Sequence, residues 1–168
     1  LHLPVFPNSQ SSLSSFFYSL VPNLFVPLDT TSLEAAGILK TQMQPALSLK
    51  GKNILIGFLD TGILYTHPAF LAPGNRTRIL NIWDQIPSPS NDGPFGYGTV
   101  FTENDINRAL SSDNPLAVVP STDTNGHGTF IAGVAAGTED PLQAFLGAAP
   151  ESSIAVVRLK EAKQHLKD

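Results

Sequence analysis

The chain has 168 residues, enough for one domain with a real core; 42% are hydrophobic and only 14% charged. Net charge is −4, and no basic stripe is long enough for a nucleic-acid surface, so nucleic acid is excluded as a partner. Cysteine is absent, which excludes disulfides, thiol catalysis and zinc–thiolate sites.

Residues 1–28 read as a separate piece, an arm packed on the domain or the remnant of a propeptide, because Asp, Glu, Lys and Arg are absent until Asp29. Its apolar part contains Pro22 and Pro27 and follows no basic residue, so it makes neither a signal peptide nor a membrane span. Residues 29–168 read as one domain. Asp29 to Ala36 predicts a short capped helix that Gly37 stops. Asn53 to Leu59 is a continuous apolar run, which predicts a strand buried on both faces, as in a parallel sheet. Asp60 follows at its carboxyl end, where open α/β sheets bind ligands. His67 precedes Pro68 in the next loop and reads as structural. Arg78 to Asp84 predicts a second strand, and residues 87–98 a surface loop. Thr102 caps a helix running to Leu110, with acidic residues in its first turn. Residues 111–124 read as a loop.

His127 opens a helix to Gly137, with Phe130, Ile131 and Val134 as the expected buried stripe. Gly in a helix interior costs about 0.8–1 kcal/mol relative to Ala, so Gly133 predicts close packing on a neighbouring backbone. Ser153 to Leu159 is a third strand, and a further helix is expected from Glu161. Strand, crossover helix, strand implies an α/β fold with a parallel sheet.

A histidine at a helix N-terminus meets the positive end of the dipole, which favours the neutral imidazole that accepts a proton. An aspartate at a strand end can hold one ring nitrogen and fix the tautomer. Asp60 and His127 are therefore a candidate general base with its orienting acid; a satisfied structural pair is the other reading. Asp60-Thr61-Gly62 also looks like the loop of an aspartic protease, but those are all-β and pair two such loops. Phosphate and dinucleotide loops are absent from the sequence, and its histidines are too scattered for a metal cluster.

At these residues the chain resembles the subtilisin-like serine proteases, the subtilases. Ile54 to Ile63 with His67-Pro68 resembles the family's aspartate motif, and Gly126 to Gly133 its histidine motif. Gly147-Ala148-Ala149-Pro150 leading into Ile154 to Leu159 resembles the strand that follows. Asp before His is the subtilisin order, with Ser last. Tyr65 to Phe70, Thr77-Arg78-Ile79, Ile82 to Gln85, Gly96 to Thr99 and Ile106 to Leu110 resemble the clostridial Csp-type group. The resemblance implies the first half of a subtilisin-like α/β domain, an incomplete parallel sheet with helices on both faces. It implies a serine endopeptidase with Asp60 as orienting acid and His127 as general base. Thr61, Gly62, Gly126, Gly128 and Thr129 would form the supporting turn and helix start, and the serine would lie outside this chain. Protein or peptide substrates, a second chain or the missing half as partner, and an extracellular or spore- or cell-envelope location go with it. No cofactor is implied except calcium, and Ala69 stands where many subtilases carry an acidic calcium ligand. The alternative is a pseudoprotease or truncated binding partner of the same fold.

Overall fold

A computed structural model describes residues 30–86, 94, 96–140 and 145–161. The arm over 1–28, the cap expected at Asp29, most of the loop over 87–98 and the helix expected beyond Glu161 lie outside the described residues. The chain opens with helices α1 (Thr30–Ala35) and α2 (Ile38–Gln42). Gly37, at φ 74°, breaks the first helix as expected, and the chain then resumes as the second, which composition alone did not signal. Buried Gln42 pins α2 by donating to the carbonyls of Gly147 and Ala148, at 3.2 and 2.9 Å.

Strand β1 (Leu55–Asp60) leads through a 3₁₀ turn (Pro68–Phe70) into a small hairpin, β2 (Leu71–Ala72) and β3 (Arg76–Thr77). Then follow β4 (Ile79–Asp84), β5 (Thr99–Thr102), α3 (Glu103–Leu110) and α4 (Pro115–Val118). The described chain closes with α5 (His127–Ala136) and β6 (Ser153–Arg158). The main sheet runs β1-β6-β4-β5. Its first two pairings are parallel, as expected, and β5 is an antiparallel addition between the expected loop over 87–98 and the Thr102 cap, where no element was expected. Thr102 caps α3, as its sequence predicts, and the Asp105 side chain completes a capping box.

Phe58, Ile82, Ile154 and Val156 form one packed cluster with Ile106 and Ala109 of α3 and Ala132 and Ala136 of α5. Successive strand side chains alternate between faces. Leu55 and Leu59 therefore point away from this cluster and are 57% and 67% exposed. The expectation that β1 is buried on both faces is corrected: its continuous apolar run is covered on one face among the described residues. Asp60 shares the covered face with Phe58, and that puts it against α5.

Two further expectations are corrected at α5. Its buried side is Gly128, Ala132, Gly133 and Ala136, while Phe130 and Ile131 are exposed and Val134 half-buried. Residues 128, 132 and 136 recur every fourth position and so share one helix face. Small side chains on that face let the helix lie close to β1; the large ones are turned outward. Close backbone approach falls at Gly128, not Gly133. A Cβ on Gly133 would meet only the Phe145 ring, at 3.8 Å, whereas one on Gly128 would collide with the Gly62 carbonyl oxygen. Gly128→Ala is therefore expected to push α5 off the β1 turn. The expected loss is about 3 kcal/mol, with a lowered thermal midpoint as its measure; an unchanged midpoint would show that the turn yields freely.

Candidate active site

The register aligns the carboxyl ends of three strands. Asp60 of β1 stands opposite Arg158 of β6, and Arg158 opposite Asp84 of β4. Arg158 and Asp84 form an ion pair of 2.9 Å with both side chains largely buried. The parallel sheet presents Asp60 to the N-terminus of α5, and the two elements meet in the pair singled out from sequence. His127 Nδ1 lies 2.8 Å from Asp60 Oδ1 and 3.0 Å from Oδ2. Burial by itself would raise the Asp60 carboxyl pKa. The hydrogen bond and charge of His127, together with the Thr61 N–H at 2.7 Å, outweigh it and hold the group below the usual range. An ionised Asp60 accepts a hydrogen bond from Nδ1–H, which fixes the tautomer and leaves Nε2 as the ring's acceptor. The imidazole is 59% exposed. It opens on a cavity of about 540 Å³ lined also by Asn125, Ile86, Leu159 and Lys160. A larger cavity, about 1040 Å³, lies against Phe130 and Phe145 without reaching Asp60 or His127.

The start of α5 explains how the pair is held. The first N–H groups of a helix have no partner within it. Gly126 at N-cap, with φ 87°, has no side chain to offer them. Three neighbours take over. Asn125 Oδ1 accepts from His127 N at 3.3 Å, Thr61 Oγ1 from Gly128 N at 3.0 Å, and Asp123 Oδ2 from Thr129 N at 2.8 Å. Asp123 also accepts from the Thr61 and Thr129 hydroxyls, at 2.9 and 2.7 Å, and from Gly126 N at 2.9 Å. Burial alone would raise its pKa. Hydrogen bonds from Thr129, Gly126 and Thr61 reverse that and hold it at about 2. Thr129 Oγ1 in turn accepts from Leu64 N at 2.9 Å. Thr61, Gly62, Gly126, Gly128 and Thr129 lie around Asp60 and His127.

Asp123 and Asn125 were not foreseen. A signal existed: a helix beginning Gly-His-Gly-Thr lacks a capping side chain at its first residue, and both acceptors lie within the three residues before it. His67 stays out of the site, capping the 3₁₀ turn with Nδ1 accepting from Ala69 N at 3.2 Å. Ser152 is buried, its hydroxyl donating to Ala149 O. Among the described residues, no group of three or more His, Asp or Glu is placed to hold a metal ion.

Residues 51–168 match the family described as "Subtilase family". The chain is 31% identical over 97 residues to the subtilisin-like protease SBT2.2 of Arabidopsis thaliana, covering 52% of this chain and 11% of that protein. It is 27% identical over 118 residues to the subtilisin-like protease PopC of Myxococcus xanthus, covering 70% and 18%. Among solved structures it is similar to the CspB protease of Clostridium perfringens, at 39% identity and a TM-score of 0.66, over 78% of this chain and 26% of that one. The chain therefore spans less than a fifth of these curated relatives and about a quarter of the solved one.

Proposed function

The chain belongs to the subtilase family, and from that premise we propose that it carries the acid–base half of a serine endopeptidase. The observation that carries this reading is the 2.8 Å contact of His127 Nδ1 with Asp60, made by an imidazole open to a cavity. In the proposed reaction a serine from outside this chain attacks the scissile carbonyl. His127 Nε2 takes the serine proton and later gives it to the leaving amine. Asp60 holds the tautomer and steadies the imidazolium, and it keeps its own negative charge throughout. The substrate is a protein or peptide chain. Such an enzyme would meet its substrates outside the cytoplasm or at the spore or cell envelope; none of the described helices is long and apolar enough to cross a membrane.

The intact protein is expected to cleave a fluorogenic peptide mixture and to be silenced by a sulfonyl fluoride, which sulfonylates an activated serine with loss of fluoride. Pepstatin should leave it untouched. Inhibition by pepstatin would bring back the aspartic-protease reading. Absence of hydrolysis from a folded, intact protein would leave a non-catalytic relative of the same fold.

A further inference from the structure

The half-buried cation Arg78 has no place in the proposed chemistry, and the ion pairs among the described residues do not include it. Its partners are oxygens of three separate segments. The guanidinium donates to Ser152 O at 2.6 Å, to Ala69 O at 2.9 Å and to Ala136 O. It also donates to Thr138 Oγ1, from Nε at 3.2 Å and from Nη2 at 3.0 Å. Ala136 is the last residue of α5, whose first residue is His127. The C-terminal end of a helix carries partial negative charge, so a cation there is favoured.

This is the neighbourhood in which the family resemblance implies calcium, and the residues do not fit that ion. Calcium takes six to eight oxygens, carboxylates usually among them. Ala69 offers a methyl group where the resemblance implies an acid. Its carbonyl already accepts from both Arg78 Nη2 and Thr138 N, the latter at 2.7 Å. The other oxygens converge on a planar guanidinium that carries its charge permanently.

We propose that Arg78 is a positioning residue for His127, a built-in cation that does here what a bound calcium ion would do. It ties the far end of α5 to the 3₁₀ turn at Ala69 and to the entry of β6 at Ser152. The position of His127 then depends on Arg78 and not on a metal. The importance of that position rests on the proposed proton-acceptor role, but the test below reads no activity and so stands or falls separately.

The full chain is melted with a calcium chelator and with added calcium, and the His127 ring resonances are followed by NMR. The wild-type midpoint should be the same in both solutions. Arg78→Met should lower it by several degrees and displace the His127 resonances; Arg78→Lys, which keeps a charge, should recover part of each. If Arg78→Met fails to fold, Arg78→Lys and the chelator comparison still decide. A wild-type midpoint that falls in chelator would overturn the proposal. So would His127 resonances that stay in place while the midpoint drops, since that would make Arg78 a stabilising residue alone.

Discussion

On the proposed mechanism, His127→Ala in the intact protein should lower kcat by roughly 10⁶-fold with KM little changed, and Asp60→Asn by about 10⁴-fold. The two losses differ because the residues act at different distances from the reaction. Removing the imidazole removes the proton acceptor. Replacing Asp60 by Asn keeps the size and one carbonyl oxygen but adds an NH₂ donor beside Nδ1. The ring then turns its acceptor nitrogen toward position 60 and its N–H toward the serine, which is the wrong tautomer. The double variant should be about as slow as His127→Ala alone, because the aspartate works only through the histidine. Equal losses at the two positions, or losses that multiply, would sink the pair as an acid–base unit. Single-turnover kinetics on a peptide ester, which needs little leaving-group protonation, would locate the loss in acylation.

Asp123→Ala should cost about 3 kcal/mol and lower the thermal midpoint by roughly 6–12 °C. Five hydrogen-bond donors, from Thr61, Asn125, Gly126 and Thr129, converge on this carboxylate. Alanine leaves them without their acceptor at the first turn of α5. The midpoint should also respond to acid, and the sign follows from the depressed pKa. A carboxylate at about 2 when folded, against about 3.9 when unfolded, stabilises fully above the unfolded value. That contribution fades as pH falls through 4 and toward 2. Solvent screening trims it to about 1–2 kcal/mol. Asp60, depressed in the same direction, adds to the slope. Asp123→Asn should flatten the acid limb of the midpoint-against-pH curve without removing it. An Asp123→Asn curve parallel to wild type would show that the carboxylate charge is not what the turn depends on.

The parts of this molecule that were readable in advance are those governed by local rules. The apolar run before Asp60, the Thr102 cap and the helix beginning at His127 each carry their own signal in a few consecutive residues. The motif order gave the family, and with it the expectation that residues 67 positions apart would touch. What escaped depends on partners distant in sequence. Strand β5 has four residues, too few for a periodic pattern, and exists because β4 offers an edge. The outward turn of Phe130 and Ile131 follows from how near α5 lies to β1, and that closeness is decided by the Gly62–Gly128 contact. Asp123 looked like loop because its role appears only when the Thr61 turn is folded beside it.

The side of β1 that the described residues leave uncovered has a bearing on handling the protein. Ile54 to Leu59 is a six-residue window with strong strand preference, no charge and no proline. β1 ends the described sheet, and Leu55 and Leu59 face outward. Such a segment is a template for intermolecular β-pairing and for fibril growth. Lys52 and Asp60, the charges that bracket it, then serve as gatekeepers against self-association. Asp60 holds the imidazole from one end of this window and places a charge beside it. Neutral replacements at position 60 should therefore be prepared dilute and checked by light scattering, since precipitation would otherwise be mistaken for inactivity.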